Sequence, residues 1–521
     1  MWTPNSLWSR YRDDIFWIGI YLAANMFVFW LRFRQYPIDP CVAFAPAVAK
    51  GSAEVVMFNC TLTLLSVCHR VIDRLRLWVA SPVTATSPLR QRPLEMHREF
   101  HVLTGTIVLT MSLVHSLAWA LIIHWCRTCN ERDWSRSALS THTAKRLREE
   151  SSLVRLGLTL PMWTGLVMVI CVLLLLPFSN GRVRRACFPT FASVHRAVLI
   201  PFIVILSFHG AAQWTSHLQA PLWLVPALAI YAAERYGRLS QSTTSAILCF
   251  DMTSAVSETP AATTIRLFLT KTKRFHECFE PGMFVYLQVP TISSLEWHPF
   301  SVCSSQDDPL IELRIRVVGD WTHQLLLHLQ QTVEVSGERE LIPHTLVPVS
   351  IPARLDGPFG TPTIHFHHYD SIALVALGVG ISPFLSLHTW RRQLRLLADP
   401  SGFIAPPLPN LTPPLKIAWV VRDLVLVEWF AETLSEFDDV LFVTTTRASD
   451  SPLLLPGGLS HVHVHWRRPD WPQLINEWTA ASAAPRVIFI SGSHAVARAI
   501  KHAAAKLPPP QTVDVYAERF Y

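Results

Sequence analysis

Charge is scarce in this sequence. Only 16% of its 521 residues are Asp, Glu, Lys or Arg, against about 25% in soluble domains. Within the first 240 residues the charges gather between long uncharged apolar runs. What charge there is gives a net +7, from 45 Lys and Arg against 38 Asp and Glu. No basic block is interleaved with aromatics, which argues against nucleic acid as a partner. The ten cysteines show no metal-ligand rhythm. Their one close pair, Cys126 and Cys129, sits in a polar loop. It reads as a disulfide if that loop is extracytosolic and as free thiols otherwise. The GxGxxG fingerprint is missing too, so a dinucleotide Rossmann site of that lineage is not expected. No cleavable signal peptide is expected, because Trp, Pro and Asn open the chain and lead straight into an apolar segment.

Long apolar runs fill the space that charge leaves. Six segments approach the roughly 20 residues needed to cross a bilayer core: 14–31, 51–69, 100–123, 155–178, 193–212 and 221–237. Trp30, Trp78, Trp125 and Trp223 lie near their ends, as interfacial belts require. After Arg238 the pattern turns to short alternating runs, Thr264–Leu269, Phe284–Val289 and Glu312–Val318, read as strands of a small antiparallel barrel. From about residue 370 the apolar runs Ser371–Leu377, Leu415–Val421, Val440–Thr445 and Arg486–Ile490 alternate with helical stretches, a parallel α/β rhythm. The fold expected is a six-helix transmembrane bundle (1–240), an antiparallel β-barrel domain (241–362) and an α/β domain (363–521).

Four histidines lie inside the apolar runs. His101 and His115 share the third, and His195 and His209 the fifth. Each pair is 14 residues apart, about 21 Å along a helix and nearly on one face. Two such helices facing each other would hold two stacked b-type haems between axial imidazoles. His101 would pair with His195 at the inner haem, and His115 with His209 at the outer. The alternative, four buried histidines bonded to neighbours, does not explain two equal spacings. His97 precedes the apolar run and has no partner at matching spacing.

Two nucleotide sites follow. His298-Pro299-Phe300-Ser301 closes a strand-like run and offers donors to a flavin and its ribityl chain. Arg316 leads into Gly319 and Thr322, where Thr322 would cap a helix over 323–330 and leave N–H groups for a pyrophosphate. A strand–turn–helix without ligand is the plain alternative. Leu377-Gly378-Val379-Gly380-Ile381-Ser382-Pro383 joins a strand to a helix. Gly378, Gly380, Ser382 and Pro383 suit close approach to the phosphates of NADPH. Arg422 follows the next strand, either as reader of a 2′-phosphate or as an ordinary surface arginine. Ser491 and Gly492 would edge the nicotinamide. Reduced nicotinamide is cytosolic, which puts the C-terminus inside, and six spans put the N-terminus there as well. Arginines flank both 70–98 and 126–152, so charge does not fix the orientation.

Taken in order, Phe58-Asn59-Cys60, Glu234-Arg235, Glu296-Trp297-His298-Pro299-Phe300, Gly319-Asp320-Trp321-Thr322, Asp356-Gly357-Pro358-Phe359-Gly360, Arg422-Asp423 and Arg468-Pro469-Asp470-Trp471 resemble the superfamily of transmembrane NADPH oxidases and ferric reductases. The resemblance is closer to the NADPH oxidases and runs from about residue 50 to the end. It implies a six-helix transmembrane haem-binding bundle followed by a ferredoxin-reductase-like module (an antiparallel β-barrel FAD domain and an α/β NADPH domain), with FAD, two b-type haems, NADPH and one-electron delivery across a plasma or internal membrane, the acceptor being dioxygen, with superoxide as product. The alternative acceptor is a ferric or cupric chelate, in support of metal uptake. A silent membrane scaffold is the remaining rival. No EF-hand pattern precedes the first span, so calcium-gated relatives are not the template. Regulatory subunits leave no signal, and the expected surroundings are membrane lipid.

The departures from the family bear on the acceptor and on hydride transfer. Trp119 stands where animal oxidases often have a further histidine, and Lys50 where they usually have arginine. Lys50 is either ion-paired with Glu54, one turn on, or a cation beside the acceptor. Ser491-Gly492 replaces the usual Cys-Gly. Phe520 is implied to cover the flavin, yet Tyr521 follows it. His461, His463 and His465 alternate and read as one exposed strand face rather than a metal site.

Overall fold

The structure, a computed structural model, describes residues 4–79, 97–137, 148, 159–209, 219–253, 263–336, 345–360, 363, 366, 369–398, 415–421, 426, 430, 465, 468–480, 485–507 and 513–518. The chain divides into two compact units, Tyr11–Gly237 and Arg238–Tyr521, the latter grouped with Met1–Arg10.

The first unit is helical: α1 (Pro4–Phe33), α2 (Ala45–Leu65), α3 (His69–Val79), α4 (His97–Thr128), α5 (Leu160–Ser179), α6 (Phe188–Phe208) and α7 (Ala220–Gln241). Pro at the first turn starts α2, α5 and α6, where its missing N–H leaves no bond unmade. Among the described residues, four helices are long and apolar enough to cross a membrane: 15–33, 99–128, 160–178 and 190–208. The other two expected spans fold as helices, α2 and α7, and are less apolar than these four. For α2 the reason is packing. More than half of it is buried, Gly51, Ser52, Asn59 and Cys60 included. Neighbouring helices, not lipid, meet these small and polar residues. Asn59 accepts a hydrogen bond from the Tyr21 hydroxyl and donates one to Asn25 at 2.6 Å, which ties α1 to α2. Val56, Met57, Leu64, Val172, Phe202 and Leu224 form the centre of the bundle. Polar contacts reach across it: Glu234 on α7 accepts the Arg70 backbone N–H of α3 at 2.9 Å.

The second unit contains two sheets. The first is antiparallel and six-stranded, with β1 (Thr243–Thr253), β2 (Thr264–Thr270), β3 (Phe284–Gln288), β4 (His298–Ser301), β5 (Leu310–Arg316) and β6 (Val347–Phe359). Its order is β4-β3-β6-β1-β2-β5. A bridge between Val302 and Leu313 joins the two edges, so the sheet nearly closes into a barrel. Ile265, Leu267, Val285, Leu287, Leu313 and Ile315 alternate inward and fill it, as period-2 patterning requires. The helix α8 (Asp320–Ser336) follows β5, longer than the expected 323–330. Arg238 is paired with the wholly buried Asp356 at 3.0 Å and lies over the ring of Tyr286, so barrel strands β3 and β6 both fix its position.

The second sheet is parallel, order β10-β9-β7-β8, from β7 (Ile372–Leu377), β8 (Leu415–Val420), β9 (Val487–Ser491) and β10 (Asp514–Glu518), with α9 (Ser382–Ala398), α10 (Trp471–Ala480) and α11 (His494–Ala504). Ile372, Leu374, Trp419 and Phe489 pack on one face, and Val375, Ile488 and Ile490 on the other. Strands covered on both faces read as unbroken apolar runs, hence their legibility in the sequence. The expected strand 440–445 lies outside the described residues, as do Arg422, His461, His463 and Phe520.

Candidate functional site

Along α4, α6 and their neighbours the four intramembrane histidines meet in two pairs. The rings of His101 and His195 lie 6.3 Å apart, centre to centre, and those of His115 and His209 6.1 Å apart. Two metal–imidazole bonds of about 2 Å plus two ring radii of about 1.1 Å sum to roughly 6 Å. Each gap therefore matches a six-coordinate iron held between two imidazoles. The Nδ1 atoms are turned to the protein. His101 Nδ1 contacts Ser66 Oγ at 3.0 Å and the Thr63 carbonyl at 3.2 Å. His115 Nδ1 contacts the Ala49 carbonyl at 2.8 Å, and His209 Nδ1 the Thr164 hydroxyl at 2.8 Å. A carbonyl partner makes Nδ1 the protonated nitrogen and leaves Nε2 as the ligand atom. Gly165 leaves room for His209: a Cβ there would lie 3.4 Å from its Cε1. Gly105, one turn from His101, has nothing within 4 Å of a notional Cβ. Among the described residues no three His, Cys, Asp or Glu side chains gather as a metal cage, so these pairs suit a metal whose other ligands come with a macrocycle.

Several details differ from expectation. His209 is not inside a helix; it is the residue after α6, in extended conformation, held by its N–H to the Ile205 carbonyl at 2.8 Å. His97 does have a ring neighbour, His69, 5.3 Å away, which linear spacing along one helix could not reveal. The Lys50–Glu54 pair is not formed. Glu54 lies 3.7 Å from Arg32 Nε and accepts the Trp223 indole N–H at 2.8 Å. Lys50 follows Ala49, whose carbonyl holds His115, so it stands at the His115/His209 end of the bundle. Cys129 is bonded to Cys41 rather than to Cys126, and Cys126 is a buried free thiol.

In the barrel unit, His298 begins β4 and stacks on Trp321 of α8, centres 4.3 Å apart and 27° between planes. Phe300 meets the same indole at 6.0 Å. Burial holds the His298 imidazole below its usual pKa, against the opposing pull of Glu296, so the ring is neutral at pH 7. Its Nε2 is buried without a hydrogen-bond partner among the described residues; Glu296 is 3.7 Å away, beyond bonding reach. Ser301 is buried at the end of β4, while Arg316 is exposed at the end of β5. Thr322 acts differently from the expected cap. It lies inside the first turn of α8, and its Oγ accepts the N–H groups of Val318 at 3.1 Å and Gly319 at 3.0 Å. Those N–H groups are therefore engaged by the threonine itself. Gly319 has open space where a Cβ would stand. An orphaned imidazole nitrogen on an aromatic shelf, beside an open glycine turn, fits a flavin nucleotide.

The second nucleotide loop lies where β7 ends, the carboxyl edge at which parallel sheets bind ligands. Gly378–Ile381 forms a short turn. Gly378 has φ +55°, which glycine adopts without strain, and its carbonyl accepts the Trp419 indole N–H at 2.7 Å. A Cβ on Gly380 would come within 2.6 Å of the Ser491 carbonyl, and one on Gly492 would overlap Leu377 Cδ1. The loops after β7 and β9 thus interlock through missing side chains. Ser382 opens α9 and gives its hydroxyl to the Val379 carbonyl at 2.8 Å; Pro383 sits in the first turn. The Ser491 hydroxyl is buried and has no partner among the described residues, as a nicotinamide-facing donor would be. The residues the sequence missed here are partners, Trp419 and Leu377, and in the membrane Thr164, Ser66 and Ala49. None stands at a motif spacing from the group it serves.

Residues 51–206 match the family described as ferric reductase like transmembrane component, and residues 251–363 match an FAD-binding domain. One superoxide-generating NADPH oxidase heavy chain of Dictyostelium discoideum is 23% identical over 450 residues, covering 82% of this chain and 58% of that one. A second heavy chain of the same kind from that organism is 25% identical over 446 residues, 83% of this chain and 78% of that one. NADPH oxidase 3 of Homo sapiens is 25% identical over 480 residues, 80% and 77% respectively. The chain therefore spans little more than half the length of the first of these relatives. It joins a segment similar to a ferric-reductase-type transmembrane component to one similar to an FAD-binding domain, and is an integral membrane protein.

Proposed function

We propose that this chain carries electrons from NADPH, through FAD and two b-type haems, across the membrane to dioxygen, with superoxide as product. The observation that carries this reading is the pair of facing histidines at two levels, 6.3 and 6.1 Å between ring centres, each level with at least one Nδ1 held by the protein. FAD supplies the conversion of a two-electron hydride donor to one-electron delivery, and the haems the steps across the bilayer. The chain's own residues bind, orient and exclude water. His101 with His195 and His115 with His209 would hold the irons. His298, Pro299, Phe300 and Ser301, with Arg316 and the Gly319–Thr322 turn, would hold the flavin against Trp321. Gly378, Gly380, Ser382 and Pro383 would admit the phosphates of NADPH, Arg422 its 2′-phosphate, and Ser491 and Gly492 the nicotinamide, with Phe520 over the flavin. The boundaries 1–240, 241–362 and 363–521 remain our division of the chain into haem, FAD and NADPH parts.

The Cys41–Cys129 bond supports an orientation. Disulfides persist on the oxidising side of a membrane, so the α1–α2 connection and the end of α4 would face away from the cytosol, with both termini cytosolic. Lys50 then lies near the outer pair. An ammonium there, unpaired with Glu54, would stabilise an anionic product by Coulomb attraction where water is scarce. A ferric chelate as acceptor would need a wet opening instead. The deciding experiment measures superoxide-dismutase-sensitive cytochrome reduction beside anaerobic ferric-citrate reduction on the same membranes. Superoxide from wild type, lowered several-fold in Lys50→Met, is expected. Chelate reduction without superoxide would transfer the reading to a metal reductase.

A further inference from the structure

The outer end of the membrane unit is closed by contacts that electron transfer itself does not use. Cys41, in the α1–α2 connection, is bonded to Cys129, which follows α4. Asp39 is buried beside it. Its Oδ1 accepts the N–H groups of Cys41 at 2.9 Å and Val42 at 3.2 Å, and its Oδ2 accepts the buried Ser137 hydroxyl at 2.7 Å. Trp134 is buried in the second connection; Arg148 lies over its ring at 5.1 Å and pairs with Glu131 at 2.5 Å. Two connections distant in sequence are thus joined by a covalent bond, a buried charge-assisted hydrogen bond and aromatic packing.

Beneath the crosslink lies one apolar cluster. Val42, Ala49, Ile122, Cys126 and Trp134 are buried in it, with Trp119 and both bonded cysteines packed at its margin. Trp119 meets the His115 ring edge-on at 6.5 Å, and Ala49 gives its carbonyl to His115. Apolar packing therefore links the disulfide to His115 of the outer pair.

We propose that this crosslinked cap is the size and polarity filter of the acceptor site, admitting dioxygen and barring hydrated metal chelates. The inference rests on the proposed delivery of electrons by His115 and His209. A ferric chelate carries charge and bound water, and an apolar cluster offers nothing to replace lost hydration. Dioxygen is small and apolar and loses little on entering. Without the crosslink, the two connections keep the Asp39–Ser137 bond and their packing but lose their covalent tie, and local opening becomes more frequent.

The test uses the full chain in membranes, with the probes dioxygen and ferric citrate. In the double variant Cys41→Ser/Cys129→Ser, anaerobic NADPH-driven ferric-citrate reduction should rise on the order of tenfold, with superoxide output nearly unchanged and b-type haem bands intact. Unchanged ferric-citrate reduction with intact haem bands overturns the filter. Should the double variant lose haem, wild-type membranes treated with a membrane-impermeant phosphine and then desalted give the same reading: a rise supports the filter, no rise overturns it. Absence of haem bands in untreated wild type removes the proposed function and this inference together. That result is seen before any cysteine is changed, so the two failures are told apart.

Discussion

The two units of this chain place their chemistry in opposite kinds of feature. In the spanning helices, between 11% and 22% of the apolar windows is buried. Most of their surface is interchangeable apolar side chain, and what is specific is a handful of polar side chains. In the second unit β7 and β9 are almost wholly buried, and what is specific is backbone: glycines that let Ser491 and Leu377 approach. A bilayer offers no water to satisfy a stray polar group, so each one kept there has a partner or a task. At the carboxyl ends of β7 and β9 a ligand must approach the backbone itself, so the site gains room by omitting side chains. The membrane unit should therefore fail when a side chain is lost, and the nucleotide unit when one is added.

The largest expected effect tests the first half of that comparison. His209→Leu removes one imidazole of the outer pair, and Thr164 loses its partner. Transmembrane reduction should fall to background and the haem absorbance by about half, while NADPH still bleaches the flavin. Full haem content in this variant would make the 6.1 Å pairing incidental. The reverse test is Gly492→Ala, which drives a methyl into Leu377 Cδ1. Overpacking of this kind costs about 1–3 kcal/mol. Flavin reduction should slow and the nucleotide KM rise, with the haem spectrum unaltered. Loss of haem in Gly492→Ala would show that the division between the units is not as clean as drawn.

How much of this was legible beforehand follows the same division. The equal 14-residue spacings announced the histidine pairs because a helix converts spacing into geometry. The unbroken apolar runs announced β7 to β9, because both faces of a parallel sheet are covered. What stayed hidden depends on chain segments meeting from afar. Cys129 bonds Cys41 across 88 residues, and nothing near the CxxC pattern favours that over Cys126. Ala49 serves His115 through its carbonyl, and a carbonyl has no sequence signature. The spans at α2 and α7 carry a weaker apolar signal because burial within a bundle relaxes the demand for apolar side chains. Thr322 was read as a helix cap from its position, but helix starts are uncertain by a residue or two, and the threonine lies inside the turn.

Arg422, outside the described residues, sharpens the nucleotide half further. A charge-assisted contact to a 2′-phosphate contributes roughly 1.5–3 kcal/mol, about ten- to a hundredfold in affinity. Arg422→Ala should narrow the preference for NADPH over NADH by that factor in flavin-reduction assays. An unchanged preference would assign the phosphate to another residue.

The smallest effect concerns the barrel, where charge is buried without lipid around it. Glu312 accepts from Arg266 at 2.8 Å and from Arg314 at 2.6 Å. Burial alone would push its carboxyl up, but the two guanidiniums outweigh it and hold it below the usual carboxylate value. A carboxyl lowered on folding stabilises the native state above its unfolded pKa of about 4.3. That contribution is lost as pH falls through the folded value. Glu312→Gln is neutral at every pH and leaves Arg314 short of its counter-charge, so it should melt below wild type at pH 7. The gap should close as wild type protonates in acid, when both proteins carry an uncharged group at this position. The loss falls below the unfolded value, so melting followed by flavin release must run from pH 7 down to about pH 2 to read the gap. A gap that stays constant over that range would mean that Glu312 acts through packing, and that the barrel, like the spanning helices, is held by shape more than by charge.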